Sequence, residues 1–279
     1  LIANDLMEPI STDRGGYTLT MRECSGSEEA LKALERDILR NEGDDGRLHL
    51  GWGSFRNLDI IAARQSSWAL LMDVNLHQFK VWDAVSSALS EARNSAKFVD
   101  NLVSKLPTEP PLRQFSNSTK TWLLGDFQRP GSWLYENRPD RFEHIKKLFC
   151  ENRISTACVD LRGGGAGSPT VFKNLGMKIS RLDISNAINF DTLYISNIPW
   201  MLNQPTGFFG ENHTPYLEDN SHHIIEQVRK NLSYLTPTCR WVISAMHLSD
   251  DATTDNFQWV TEIFAANEFI EEKWQLILS

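Results

Sequence analysis

Gly51 and Gly53 of "RLHLGWGS" lie about twenty residues before Asp73 of "WALLMDVN". The apolar run before the glycines reads as a strand. "FRNLDIIAARQ", with Leu58, Ile61 and Ala62 at helical spacing, reads as the helix after it. "WALLMDV" is an unbroken apolar run and reads as a buried strand. Two glycines let the backbone turn sharply and come close to a ligand. An acid at the end of the next strand can accept hydrogen bonds from two ribose hydroxyls, each about 1.5–3 kcal/mol for a charged acceptor. The spacing suits a nucleoside-binding βαβ unit.

"GWGS" lacks the third glycine of GxGxxG, where Asn57 and Leu58 stand. A pyrophosphate wants that closer helix approach, which disfavours dinucleotides. A ligand with a ribose and no pyrophosphate fits better, and S-adenosyl-L-methionine (SAM) is the obvious one. On this reading Gly51, Gly53 and Ser54 approach the methionine part, Trp52 lines the cofactor pocket beside them, and Asp73, with Asn75 beside it, holds the ribose.

The second half repeats the pattern. "MKISRLDIS" and "FDTLYISN" read as strands, with Asp183 and Ile184 ending the first and Ser196 and Asn197 ending the second. With "WALLMDV", this resembles the SAM-dependent class I methyltransferase-like fold, over residues 47–75 and 177–279. The resemblance implies that Asp183 meets the adenine amino group and that the fourth strand ends at the reacting centre. Asn197, Tyr194 and Ser196 are then the catalytic candidates, with Asn197 orienting an amine or hydroxyl. Trp52, Trp200 and Tyr194 are candidates for an aromatic face over the sulfonium.

"GWGSFRNLDIIAARQSSWALLMDVN" with "NFDTLYISNIPWML" also resembles the 3-amino-3-carboxypropyl transferases of betaine-lipid synthesis. Here Asn197 replaces that family's second Asp, and Leu76 its usual Pro. "RFEHIKKLFCENRISTACVDL" is similar to an uncharacterised bacterial methyltransferase-like family, and on that alignment Asp160 is the third-strand acid. The preferred alignment takes Asp183. These resemblances imply nucleophilic attack either on the methyl carbon of SAM or on its γ-carbon. The second route transfers aminocarboxypropyl, or cyclises to azetidine-2-carboxylate with loss of methylthioadenosine. A SAM-binding interaction protein without catalysis is the alternative of another class.

The elements that must position these residues alternate between strand and helix, which implies an α/β sheet with crossover connections. The expected architecture is a Rossmann-like methyltransferase fold with a central, mostly parallel sheet. Residues 1–46 form an N-terminal helical segment. Residues 47–75 and 177–279 form the core, and 76–176 a mostly helical insertion. "HQFKVWDAVSSALSEARNSAKFVDNLVSKL" reads as helical up to Pro107, and "PDRFEHIKKLFCEN" as a helix with Pro139 in its first turn. "ISTACVDL" reads as a strand, and "SPTVFKNLG" as a short helix closed by Gly176. "CRWVISAMH" reads as a strand, "NFQWVTEIFAAN" as a helix, and "EKWQLILS" as a final strand.

Composition sets further expectations. The formal net charge of −8 over 279 residues argues against a nucleic-acid partner. A small-molecule substrate, or SAM alone, is expected. No apolar stretch approaches the roughly 18 residues of a membrane span, and "LIANDLMEPI" lacks the features of a secretory signal. The four cysteines match no CxxC pattern and read as reduced thiols of a cytoplasmic protein. No metal is expected. His222 and His223 are adjacent on a helix and point about 100° apart. The segment "PTGFFGENHTPYLEDN" is a candidate substrate lid.

Overall fold

A computed structural model of the chain describes residues 31–36, 46–53, 55–73, 76–106, 123–159, 161, 168–184, 189–196, 221–247, 259–266 and 269. Six strands form one sheet: β1 (Arg47–Trp52), β2 (Trp68–Asp73), β3 (Ile154–Cys158), β4 (Asn189–Tyr194), β5 (Trp241–His247) and β6 (Trp259–Ala265). Their order is β3-β2-β1-β4-β5-β6. The first five are parallel, and β6 runs antiparallel to β5. The connecting helices are α1 (Arg56–Arg64), α2 (Leu76–Glu91), α3 (Ser95–Lys105), α4 (Pro139–Cys150), α5 (Ser168–Ile184) and α6 (Ser221–Ser233). This is the expected Rossmann-like α/β architecture. The strand order reverses between β1 and β4, so the crevice of such a sheet opens at their carboxyl ends.

Each face of the sheet is covered. Leu48, Leu50, Leu70, Phe190 and Leu193 pack against Phe172, Leu175 and Ile179 of α5 and Val228 and Leu232 of α6. Ala69 and Leu71 meet Leu58, Ile61 and Ala62 of α1, backed by α2, α3, α4 and Trp133. Leu31 and Leu34, from the helical residues 31–36, pack with Ile60, Ala63, Tyr194 and Ile243. As a result all nine residues of α1 are buried.

Several sequence expectations change. Residues 177–184 of "MKISRLDIS" are not a strand: they continue α5 without a break. Phe172, Leu175 and Ile179 are spaced i, i+3 and i+7 and face the core together. Gly176 does not close a helix but lies inside α5, where a Cβ would come 2.2 Å from the Tyr234 carbonyl oxygen. The third strand is therefore Ile154–Cys158, inside the stretch assigned to the insertion, and the excursion from β2 to β3 covers residues 74–153. "WVTEIFA" is strand β6 because pairing along β5 outweighs its helix-like spacing. The long helix up to Pro107 divides at Ala92–Asn94, where the Asn94 side chain accepts from the Lys97 N–H at 2.8 Å and starts α3. The expected strand "EKWQLILS" and the candidate lid lie outside the described residues.

Candidate functional site at the carboxyl ends of β1, β2 and β4

The glycine turn begins where β1 ends. Gly53 has φ 83°, a left-handed conformation that glycine adopts without a steric penalty. Its N–H donates to the Met72 carbonyl at 3.2 Å, tying the turn to β2. Asp73 is half-buried at the end of β2, with Cys158 as its partner across the ladder. The next amide, Val159 N–H, donates to the Asp73 carbonyl at 2.9 Å. Gly53, Asp73 and Val159 thus form the rim of three adjacent strands.

Gly51 has a different job from the expected one. A Cβ there would lie 1.7 Å from Asn57 Oδ1 and 2.8 Å from His49 Nε2. Its missing side chain makes room for a protein group, not for a ligand. Trp52 is also turned inward. Its indole N–H donates to the Val159 carbonyl at 3.1 Å, its ring stacks on Phe172 at 6.2 Å between centroids, and it is 4 % exposed. Trp52 is a strut between β1 and the segment after β3, and no face is left for a sulfonium. Tyr194 is fully buried among Leu31, Leu34, Ile60, Ala63 and Ile243, which removes it from the same role.

Ser196 follows β4 in a left-handed conformation, φ 53°, uncommon for a residue with a side chain. It is buried, and its carbonyl accepts from Ser244 Oγ at 3.3 Å. The preceding Ile195 N–H donates to the Ile243 carbonyl at 2.9 Å. The exit from β4 is therefore fixed up to the residue before Asn197. Asp183 and Ile184 are on the last turn of α5, before β4, so they are not at the carboxyl end of a strand. Ser54, Asn75, Asp160, Asn197 and Trp200 lie outside the described residues. On either side of Asp160 the chain is pinned. Val159 is held by Trp52, and the Leu161 carbonyl accepts from Asn231 Nδ2 at 2.8 Å.

Sequence reasoning missed a set of buried polar groups beneath the turn. His49 Nδ1 lies 2.8 Å from Thr192 Oγ1, and its Nε2 lies 2.9 Å from Asn57 Oδ1. Asn57 Nδ2 donates to the Trp52 carbonyl at 3.2 Å. Burial pushes the His49 imidazole down to about 4, against a smaller upward pull from Asn57, so at neutral pH it is uncharged. Nearby, Arg64 forms a bidentate pair with Asp191, at 2.7 and 2.6 Å, and donates to the Leu34 carbonyl at 2.7 Å. The β1–β4 register shifts between Leu48 and His49, which pair with Phe190 and Thr192. Asp191 is the extra residue, and this bulge lets both Asp191 and Thr192 reach the α1 side. The available signal was a histidine inside an apolar strand run and an asparagine at the start of an apolar helix, groups that need partners once buried.

Asp59, on the same helix, accepts from the Trp133 N–H at 2.8 Å and from Arg129 Nη2 at 2.9 Å and Arg56 Nη1 at 3.2 Å. The excursion is thereby fastened to α1. Among the described residues, no three or more His, Cys, Asp or Glu side chains are grouped to hold a metal ion. No described helix is long and apolar enough to cross a membrane.

A family model described as a domain of unknown function (DUF7790) matches residues 25–109, a span that contains the glycine turn and Asp73. No curated protein matches the chain. Among solved structures, the chain is similar to the rRNA methyltransferase aviRa from Streptomyces viridochromogenes. Identity is 11 %, the match covers 95 % of this chain and 97 % of that one, and the TM-score is 0.37.

Proposed function

We propose that the protein is a SAM-dependent transferase. The observation that carries this reading is the placement of the left-handed Gly53 beside Asp73 at the carboxyl ends of adjacent parallel strands, next to the β1/β4 switch point. Such a rim suits a nucleoside: a turn without side-chain bulk and an acid one strand away. Gly53 and Ser54 approach the methionine part, and Asp73 accepts the ribose hydroxyls. Because Asp183 is on a helix ahead of β4, Asp160, the acid that follows Val159 in sequence, takes over the adenine contact.

SAM supplies an electrophilic carbon and a neutral thioether leaving group. The chain's own task is to align the nucleophile and exclude water. Asn197, directly after Ser196, is the residue placed in sequence to orient an amine or hydroxyl there. Bound SAM would supply the carbon to be attacked and would leave as a thioether that keeps the carbon–sulfur electron pair, with Asn197 holding the attacking amine or hydroxyl in line and its proton passing to solvent.

The test is calorimetry with SAM, followed by incubation and product analysis by mass. S-adenosylhomocysteine indicates methyl transfer, and methylthioadenosine indicates attack on the γ-carbon. Binding with no turnover indicates the non-catalytic reading or a missing acceptor, and no binding sinks the proposal. Asp73→Ala should weaken SAM binding by about 1.5–3 kcal/mol, roughly ten- to a hundred-fold, in a folded protein.

A further inference from the structure

The buried polar chain beneath the turn has a single allowed direction. The Trp52 carbonyl can only accept, so Asn57 presents its Nδ2 there and its Oδ1 to His49. His49 Nε2 must then carry the proton that it donates to Oδ1. A neutral imidazole has one donor, so Nδ1 is an acceptor and the Thr192 hydroxyl donates to it. The sequence Thr192 to His49 to Asn57 to Trp52 carbonyl runs from β4, across β1, through α1, to the turn.

We propose that Asn57, oriented by His49 and Thr192, is a positioning residue that holds the Trp52–Gly53 turn in the shape that admits the nucleoside ligand. This deepens the transferase reading and rests on it for the identity of the ligand. The turn is held from two sides. Gly53 N–H is fixed by β2 through Met72, and the Trp52 carbonyl is fixed by α1 through Asn57. An apolar trio could fill the same space without the desolvation cost of three buried polar groups. What the polar chain adds is direction: it aims one carbonyl at one amide, and a satisfied buried network specifies a unique geometry. Gly51 agrees, since its Cβ position is where Asn57 Oδ1 sits. Because Thr192 belongs to the strand that leads to Ser196 and Asn197, one network sets both walls of the crevice.

The experiment compares wild type, Asn57→Ala, Thr192→Val and Thr192→Ser at a temperature where all are folded. SAM affinity is measured by calorimetry, and exchange of the Gly53 amide by NMR, with the Leu70 and Leu71 amides as internal controls. Asn57→Ala should weaken SAM binding about ten-fold, equivalent to about 1.4 kcal/mol. It should speed Gly53 exchange at least as much, with the controls unchanged. Thr192→Val should move both readouts in the same direction by about three-fold, as expected for a partner one bond further away, and Thr192→Ser should restore both. If Asn57→Ala does not fold, the two Thr192 variants decide alone. With a wild type that binds SAM, unchanged affinity in the variants overturns the proposal, as does either readout moving without the other. If the wild type binds no SAM, the transferase reading fails. The held turn is then judged on Gly53 exchange: accelerated exchange in the variants supports it, and unchanged exchange overturns it.

Discussion

On one side of β1, Leu48, Leu50 and Trp52 join the apolar core under α5 and α6. On the other side, Arg47, His49 and Gly51 face α1, where Arg47 donates to the Arg64 carbonyl at 3.4 Å and His49 to Asn57. Both sides are buried. The apolar side stabilises by area and tolerates shape-conserving change. The α1 side is made of directional contacts, each of which needs a specific partner. Alternation in "RLHLGW" would ordinarily mark a half-exposed strand. Here it separates a face that holds the sheet together from a face that aims the turn.

The largest effect expected on the α1 side comes from its ion pair. Arg64 and Asp191 are each about 1 % exposed. Removing one partner leaves a buried charge uncompensated, and Asp191→Ala or Arg64→Met should cost about 3–5 kcal/mol in urea unfolding. Replacing both, Arg64→Met with Asp191→Leu, should recover most of that loss. A double-mutant cycle with no coupling between the two positions would show that the pair is not a unit.

Next is acidification. The His49 imidazole is pushed down to about 4 in the fold, and an unfolded histidine titrates near 6.5. Between those values the unfolded chain binds a proton that the folded one refuses. The His49 contribution is therefore full above about pH 6.5 and is lost as pH falls toward 4, by about 3 kcal/mol in total. His144, lowered by burial and packed against the Ser66 carbonyl, adds a background of the same sign. Unfolding free energies at pH 7, 5.5 and 4.5 for wild type and His49→Gln should separate the two. Parallel curves would mean that His49 does not titrate as a buried neutral group.

The two tight glycines sharpen the contrast. Gly51→Ala collides with two side chains, Asn57 and His49, whereas Gly176→Ala collides with a backbone carbonyl at Tyr234. Each should cost about 1–3 kcal/mol through overpacking. Adding Asn57→Ala should relieve most of the first, leaving the approach to His49 Nε2, and no side-chain truncation should relieve the second. A Gly51→Ala variant as stable as wild type would mean that Asn57 moves aside freely, which would also weaken its claim to hold the turn.

Much of the sheet was legible because parallel strands buried on both faces leave long apolar runs, as in "WALLMD". The rim residues Gly53 and Asp73 were legible for a related reason: a turn and a strand end follow directly from the element boundaries. Asp183 was misplaced because "MKISRLDIS" mimics alternation over a short window, and only the helical register of Phe172, Leu175 and Ile179 reveals the longer pattern. The His49–Thr192 pair spans 143 residues of sequence, and no local pattern joins them. Trp52 was misjudged because an aromatic beside a glycine turn can face either the crevice or the core, and the choice depends on Val159 and Phe172, both more than a hundred residues away.

The smallest expected effect tests that last choice, on the apolar side of β1. Trp52→Phe keeps an aromatic ring against Phe172 but removes the N–H that donates to the Val159 carbonyl. The loss of one ordinary buried hydrogen bond should cost about 1 kcal/mol of stability. Its consequence should be local, because Val159 directly precedes Asp160, the acid proposed for the adenine contact. SAM affinity should therefore fall about three-fold, as a misaligned but still present carboxylate would cause. Affinity for a neutral analogue that keeps the adenine, S-adenosylhomocysteine, should fall by the same factor. If Trp52 instead faced the sulfonium, the charge would matter: SAM and its neutral thioether would respond differently to the exchange of indole for phenyl, because a cation is attracted more strongly by the larger ring. Equal loss for the two ligands marks a strut, and unequal loss would return Trp52 to the crevice.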